Sequence, residues 1–255
     1  MRVLAAIPAR YASTRFPGKP LAKLGGKPIL QWVWDALQAH NEEWDAVVAT
    51  DDERIAQVAR EEFGASVMLT SANHRSGTDR CGEVVRRLAD EQGKAYDLVI
   101  NVQGDEPFVD PDQLRQLIAT FDDPRVDIAT LCTPIHSGDE LFSPNNVKVV
   151  CNASGNALYF SRSAIPYQRG VDPKEWTKKE LYHKHVGIYA YRSSVLEKLC
   201  ALPANPLEVA ESLEQLRWLA AGYTIRVCPT NHANIGIDTP DDLAAAEAAL
   251  QTKTM

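Results

Sequence analysis

A cluster of basic and hydroxyl side chains follows the first apolar run of the chain, in the stretch IPARYASTRFPGKPL at residues 7–21. Such side chains, together with exposed backbone N–H groups, can hold a polyphosphate by charge-assisted hydrogen bonds. The stretch has neither the G-x-G-x-x-G spacing of a dinucleotide site nor the glycine spacing and Ser/Thr of a P-loop. A solvated surface loop is the alternative interpretation. The side chains that we predict to bind phosphate are Arg10, Ser13, Arg15 and Lys19.

Two aspartates could hold the metal ion that accompanies a polyphosphate. Asp105 stands in NVQGDEP, where an apolar run ends, and Asp238 stands in GIDTP. Magnesium favours a few carboxylates combined with phosphate oxygens. Either aspartate alone could instead cap a turn, and Asp238 lies two residues before a proline that opens a helix. Together with the basic loop, however, the pair predicts a metal-polyphosphate site.

Strands and helices alternate over the first half of the chain. Continuous apolar runs at 45–50 and 97–103 are typical of strands buried on both faces of a parallel sheet. Segments 27–40 and 78–93 have the apolar spacing of amphipathic helices. Ligands of such folds bind beyond the carboxyl ends of the strands, which is where the basic loop follows the first strand. This position favours the functional interpretation of the loop.

The second half of the chain has a different pattern. Strand-like runs separated by polar turns predict an antiparallel excursion over roughly 125–190. Helices return afterwards, including one helix predicted over 207–222 and another over 239–250. The sequence therefore predicts an α/β fold with a doubly wound, mixed, mostly parallel sheet and an antiparallel excursion. We predict one domain over residues 1–255, since no composition break marks a linker.

Composition and charge exclude several classes of function. The 255 residues are 45% hydrophobic and 24% charged, as in ordinary globular proteins, and the net charge is -7. An acidic chain is a poor candidate for sequence-independent nucleic-acid binding or for an anionic membrane surface, so we expect neither partner. The five cysteines are scattered without a C-x-x-C pair, and no apolar stretch approaches the length of a signal or spanning segment. We expect a cytoplasmic protein with reduced thiols.

Several motifs together resemble the 3-deoxy-manno-octulosonate (Kdo) cytidylyltransferases, also called CMP-Kdo synthetases. The resemblance covers essentially the whole chain, and the order of QGDEP, ALYFSR and LEQLR is typical of this family and not of related sugar nucleotidyltransferases. Two places depart from the family pattern: segment 168–184 matches nothing, and Val186 and Ala190 replace Leu and Gly. The matching motifs are IPARYASTRFPGKPL, VATDDERIA, SGTDR, INVQGDEP, NVKVV, ALYFSR, HVGIYAYR, LEQLR and DTPDDL.

The resemblance implies a role for each matching residue. A fold like that of the nucleotide-diphospho-sugar transferases is implied, with Mg²⁺ as the cofactor and a homodimer formed through the excursion. Lys19, Asp105 and Asp238 are the implied catalytic residues, and the two aspartates are the implied magnesium ligands. The implied CTP-binding residues are Ala9, Arg10, Ser13, Arg15, Lys19, Arg80 and Gln103. The implied sugar-binding residues are Arg162, His185, Tyr189, Glu214 and Gln215.

The implied reaction is transfer of CMP from CTP to the anomeric hydroxyl of Kdo, which gives CMP-Kdo and pyrophosphate for lipopolysaccharide assembly. The alternative acceptor is 8-amino-3,8-dideoxy-manno-octulosonate, since the unmatched segment 168–184 leaves the choice of acid open. Other sugar nucleotidyltransferases and a CTP-sensing module without turnover are further alternatives. No Ser or Cys nucleophile in a recognisable elbow is present, so we expect no covalent catalysis.

Overall fold

The structure is a computed structural model that describes residues 1–13, 16–232, 236–237 and 239–253. Arg15 and Asp238, both predicted site residues, lie outside the described residues. The chain packs as two compact units, Met1–Asp112 with Asn234–Met255 as unit 1 and Gln113–Ala233 as unit 2. The single domain over 1–255 stays a prediction.

The elements follow one another much as the sequence predicts. The first half contains β1 (Val3–Ala9), β2 (Lys23–Leu24), β3 (Lys27–Pro28), α1 (Ile29–Gln38), β4 (Asp45–Thr50), α2 (Glu53–Phe63), β5 (Val67–Leu69), α3 (Gly77–Gln92), β6 (Leu98–Asn101) and α4 (Pro111–Thr120). The second half contains β7 (Ile128–Pro134), α5 (Gly138–Phe142), β8 (Lys148–Cys151), β9 (Ala157–Ser161), β10 (His183–Arg192), α6 (Ser193–Cys200), α7 (Pro206–Glu211), α8 (Gln215–Ala220), β11 (Ile225–Pro229) and α9 (Pro240–Lys253).

The strands of unit 1 that carry the site are parallel. β1 pairs with β4 on one side and β6 on the other, and β5 follows β4. All seven residues of β1 are apolar or proline, and six of them are buried, as expected of a strand covered on both faces. Because β1 and β6 are neighbours, the polar segments that follow them begin side by side.

The helix ends in unit 1 follow local rules that the sequence displays. The Asp52 side chain accepts a hydrogen bond from Arg54 N and caps the start of α2. Gly64 ends the same helix in the left-handed region, at φ 64°, which is accessible to glycine without strain. Residue types that are visible in the sequence therefore account for both ends of this helix.

Unit 2 contains the antiparallel strands that the sequence predicts. β10 pairs antiparallel with β7 and with β8, and β8 pairs antiparallel with β9. β11 runs parallel to β7. The α/β class with a mixed, mostly parallel sheet is confirmed.

One predicted helix is wrong in its extent. The expected helix over 207–222 is divided into α7 and α8, because Ser212 adopts a left-handed conformation with φ 52°. The break has a physical reason: the Glu211 carboxylate accepts hydrogen bonds from Ser161 Oγ and Arg162 N of another segment. Periodicity along the sequence does not reveal such distant partners. The sequence analysis also missed α5 and the β2–β3 hairpin.

In the part of the chain that the structure describes, no helix is both long enough and apolar enough to cross a membrane.

Candidate functional site

The loop after β1 is folded by its own backbone. Gly18 N donates to Tyr11 O at 2.9 Å, which closes the loop, and Ser13 Oγ accepts from Phe16 N at 3.3 Å. A short 3-10 helix over Lys19–Leu21 follows. Ala9, the last residue of β1, is buried. The loop thus holds its polar side chains at the carboxyl end of a rigid strand.

Lys19 and Asp105 meet in this loop region although 86 residues separate them. Lys19 Nζ forms an ion pair with the Asp105 carboxylate, and their side chains are 11% and 29% exposed. The Asp105 carbonyl oxygen accepts a hydrogen bond from Ile237 N at 3.0 Å. The GIDTP segment, whose Asp238 is outside the described residues, is therefore attached to the QGDEP segment through its backbone at Ile237.

Arg10 is held in place by residues that the sequence analysis did not single out. Its guanidinium donates to the carbonyl oxygen of His74, and the Nε2 atom of the His74 ring is hydrogen-bonded to the Glu83 carboxylate. Burial opposes ionisation of Glu83, but hydrogen bonds from Ser71 N and His74 outweigh it and lower the pKa of the carboxyl. These contacts fix the orientation of a cation before any ligand binds.

A cavity of about 230 Å³ collects most of the predicted nucleotide-binding residues. Its wall also includes Arg75, Ser76 and Gly77 at the start of α3, which the sequence analysis missed. The signal for them was the serine cap of a helix, since Ser76 Oγ accepts from Asp79 N and helix starts attract phosphate. The predicted residues that line the cavity are Ala9, Arg10, Ser13, Lys19, Gln103 and Asp105.

Arg80 is placed differently from the others. Its side chain is fully buried on α3 and contacts Asp51 at 3.2 Å and the hydroxyl of Thr70. Burial lowers the pKa of the guanidinium, the Asp51 carboxylate opposes this, and the nearby charge of Arg10 adds to the lowering. The structure does not bring Arg80 to the wall of the cavity, and its direct contact with a nucleotide stays a prediction.

The predicted sugar-binding residues lie in unit 2, and two of them share strand β10. The ring centroids of His185 and Tyr189 are 5.1 Å apart, and those of His185 and Phe160 are also 5.1 Å apart, with the latter two rings nearly perpendicular. Desolvation lowers the pKa of His185 to about 3, so this ring is neutral near pH 7. Burial, followed by the charge of Glu214, raises the pKa of Tyr189.

The hydroxyl of Tyr189 is buried and has no hydrogen-bond partner of good geometry among the described residues. An interaction with the Thr130 hydroxyl opposes part of the pKa rise of Tyr189. A buried hydroxyl without a partner costs free energy, which a ligand hydroxyl could recover.

Arg162 follows β9, and its guanidinium donates hydrogen bonds to backbone carbonyl groups. Its Nε donates to Glu211 O at 2.7 Å, one terminal nitrogen donates to Pro144 O at 3.0 Å, and the other to Ser212 O at 3.4 Å. A guanidinium has five N–H groups, so one N–H on each terminal nitrogen is left for a carboxylate. The resemblance implied a sugar-binding role for Arg162, but the sequence analysis did not predict these carbonyl partners.

Glu214 and Gln215 start α8, with Gln215 buried. The Glu214 carboxylate accepts from Arg217 at 2.6 Å, and Glu208 of α7 lies 3.6 Å from the same guanidinium. Arg217 therefore joins the two short helices. The structure brings Glu214 close enough to Tyr189 to influence its titration.

Two buried or half-buried charges that the sequence analysis missed support Arg162. Lys148 is fully buried and donates to three carbonyl groups, at Ser143, Asn146 and Arg162. Glu211 accepts from the backbone N–H of Arg162. The NVKVV motif that carries Lys148 was a visible signal, although nothing in its spacing indicates these partners.

Comparison with known proteins gives the family of the chain. A family model described as cytidylyltransferase matches residues 4–225. A 3-deoxy-manno-octulosonate cytidylyltransferase from Phocaeicola vulgatus is 52% identical over 256 residues, which cover 99% of both chains.

Solved structures agree with this result. The structure of a CMP:2-keto-3-deoxy-manno-octonic acid synthetase complexed with CTP is 42% identical, with a TM-score of 0.87 over 99% of this chain and 100% of that chain. A 4-diphosphocytidyl-2C-methyl-D-erythritol synthase from Anaerococcus prevotii has a TM-score of 0.62 at 16% identity, over 98% of this chain and 99% of that chain. This second likeness shows the fold alone.

Proposed function

The chain belongs to the 3-deoxy-manno-octulosonate cytidylyltransferase family, and we propose that it transfers CMP from CTP to the anomeric hydroxyl of Kdo, releasing pyrophosphate. The names of its relatives support Kdo as the acceptor and give no support to the 8-amino acid. The proposed role is activation of Kdo for lipopolysaccharide assembly.

One observation carries the proposal for the nucleotide. Residues from three separate segments, represented by Arg10, Ser76 and Gln103, line a single cavity in unit 1. The cavity combines cationic side chains with the start of a helix of 16 residues, an arrangement that suits a triphosphate. We assign this cavity to CTP.

We propose the following reaction. The anomeric hydroxyl oxygen of Kdo forms a bond with the α-phosphorus of CTP, and the bond from this phosphorus to the oxygen bridging the α- and β-phosphates breaks. The hydroxyl proton passes to solvent water, and pyrophosphate leaves with the bonding electron pair. Lys19 and Arg10 stabilise the charge that develops on the leaving phosphates, because both are held at the cavity wall before CTP binds.

Magnesium is the proposed cofactor, and the donor set fits it. Asp105 supplies a partly exposed carboxylate at the cavity wall, and Asp238 follows Ile237, which is bonded to the Asp105 backbone. Hard oxygen ligands of this kind, completed by phosphate oxygens, suit Mg²⁺. When bound there, the ion would supply positive charge that polarises the α-phosphoryl group.

The sugar acid is assigned to unit 2. The two remaining N–H groups of Arg162 are proposed to bind the carboxylate of Kdo. The uncharged His185, the buried hydroxyl of Tyr189, and the polar ends of Glu214 and Gln215 are proposed to bind its hydroxyl groups.

The test is pyrophosphate release by the purified protein with Mg²⁺, each of CTP, UTP, GTP and ATP in turn, and Kdo, 8-amino-Kdo or a sialic acid as acceptor. We expect release with CTP and Kdo and little with the other pairs. A preference for 8-amino-Kdo would overturn the acceptor assignment. Binding of CTP without release for any acceptor would favour a CTP sensor over an enzyme.

We further propose that the protein is a cytoplasmic homodimer. All five cysteines are free thiols, which fits a reducing compartment. Several large apolar side chains of segment 125–190 are exposed, which supports an interface in that segment. These side chains are Phe142, Leu158, Tyr167 and Leu181.

A further inference from the structure

Thr130 lies in the middle of β7, is completely buried, and faces an irregularity in its partner strand. Along β10, Val186 is opposite Leu131, but Tyr189 is already opposite Thr130, so two residues of β10 bulge out of the pairing. This β-bulge separates two residues assigned to the sugar acid, His185 and Tyr189. Bulges re-aim side chains beside functional sites.

Besides its interaction with the Tyr189 hydroxyl, the Thr130 hydroxyl makes three contacts in this bulge. Its oxygen lies 3.1 Å from Val186 O, 2.8 Å from Ile188 O and 3.0 Å from His185 Nε2. The carbonyl oxygens of Val186 and Ile188 can only accept hydrogen bonds. The single proton of the Thr130 hydroxyl therefore points toward these two oxygens and not toward the His185 ring. The hydroxyl oxygen is then an acceptor toward the ring, and His185 Nε2 is the atom that carries the ring hydrogen.

This assignment determines what the other ring nitrogen can do. A neutral imidazole with hydrogen on Nε2 has a lone pair on Nδ1, which accepts a hydrogen bond and donates none. His185 is half-buried as a residue, and its ring packs between Phe160 and Tyr189. An accepting nitrogen suits a hydroxyl group of a sugar and does not suit its carboxylate.

We propose that Thr130 is a positioning residue that holds His185 in the Nε2–H tautomer, so that Nδ1 accepts a hydrogen bond from a hydroxyl group of the sugar acid. The assignment of the His185 tautomer depends only on contacts within unit 2. The hydrogen bond from the sugar acid to Nδ1 rests on the proposed function.

The first experiment is a long-range ¹H–¹⁵N correlation spectrum of the histidine rings in ¹⁵N-labelled protein near pH 7, without any substrate. The chain has six histidines, and the His185→Gln variant identifies the signal of His185. We expect the pattern of a neutral ring with hydrogen on Nε2. Hydrogen on Nδ1, or a charged ring, in the unmodified protein would overturn the proposal, and this result does not require enzymatic activity.

The second experiment uses Thr130→Val and Thr130→Ser. The valine variant keeps the shape but loses the hydroxyl, so we expect mixed tautomers and a KM for Kdo raised by about 3- to 10-fold, as for the loss of one hydrogen bond. The KM for CTP should be unchanged, and the serine variant should restore both the tautomer and the KM for Kdo. Thr133→Val, the same change on the same strand, is the matched control and should alter neither.

The outcomes separate this proposal from the proposed function. An Nε2–H signal without any CTP- and Kdo-dependent turnover would overturn the proposed function and the sugar contact, and leave the positioning by Thr130 intact. Turnover with an unchanged tautomer in Thr130→Val would overturn the positioning and leave the function intact. If Thr130→Val does not fold, the tautomer of His185 in the unmodified protein and in Thr130→Ser still tests the proposal.

Discussion

Lys19 and Asp105 illustrate how single residues prepare the site. Each neutralises the charge of the other at the wall of the cavity, and neither is fully exposed. A preformed pair of this kind lets the protein hold a lysine near the phosphates without repelling the other cations of the loop. The same carboxylate is the proposed ligand of the metal ion. Its negative charge therefore pairs with Lys19 before substrate binds and is proposed to hold the metal ion afterwards.

Replacement of this carboxylate should separate chemistry from stability. We expect Asp105→Asn to reduce the rate of pyrophosphate release by about 10² to 10³, the cost typical of losing one preorganised charge. The asparagine keeps the size of the side chain, so the melting temperature should change little. Turnover is measured across a Mg²⁺ titration, and we expect the variant to need more Mg²⁺ or to fail to respond.

The exposed Asp90, on α3 and outside the cavity wall, offers a matched control. Asp90→Asn should keep normal turnover and a normal response to Mg²⁺. Near-normal turnover of Asp105→Asn would remove Asp105 from the metal site.

At the scale of elements, the site depends on how closely two segments approach β1. A Cβ atom added to Gly104 would lie 3.0 Å from the backbone oxygen of Pro8, and one added to Gly77 would lie 3.0 Å from the Pro8 side chain. The segment after β6 and the start of α3 therefore both pack against the end of β1. The contact at Gly104 is with backbone, which cannot move aside as a side chain can.

Gly104→Ala should therefore displace the segment that carries Gln103 and Asp105. We expect a loss of stability of about 1–3 kcal/mol, typical of overpacking, together with a raised KM for CTP. The measurements are thermal unfolding and steady-state kinetics. Gly138→Ala is the control, since no heavy atom of the described residues lies within 4 Å of the added atom, and it should leave both quantities nearly unchanged. A normal KM for CTP in Gly104→Ala would contradict the expected displacement of the segment that carries Gln103 and Asp105.

At the scale of the whole molecule, strand β9 is the element whose exposure needs explanation. Within the described strands it pairs along its length only with β8, and Leu158 on it is 61% exposed. An edge strand with an exposed large apolar side chain tends to pair with another chain. This observation supports the homodimer that the family resemblance implies.

We expect the protein to have about twice the 28.2 kDa of one chain when its mass is measured by light scattering after size exclusion. Leu158→Lys should weaken or abolish the dimer, because burying an unpaired charge in an interface is costly. Val209→Lys replaces another exposed apolar residue, outside segment 125–190, and should leave the dimer intact. A monomeric unmodified protein would contradict the prediction, and a dimeric Leu158→Lys variant would exclude this part of the interface.

The sequence by itself determined most of the elements and the residue types that line the cavity of unit 1. Apolar runs, helical spacing and a basic loop at a strand end are local patterns, so β1, α1, α3 and the predicted phosphate-binding residues could be recognised without coordinates. The grouping of Arg10, Lys19 and Asp105 in one cavity followed from the rule that parallel strands present their carboxyl ends together.

Only the tertiary structure decided the features that depend on partners distant in the sequence. The burial of Arg80, the carbonyl partners of Arg162, and the break at Ser212 all arise from hydrogen bonds and ion pairs between separate segments. The contact of Thr130 with His185 spans 55 residues and depends on a β-bulge that no local pattern displays. A residue type shows which bonds a side chain can make, but packing determines which partner lies within reach.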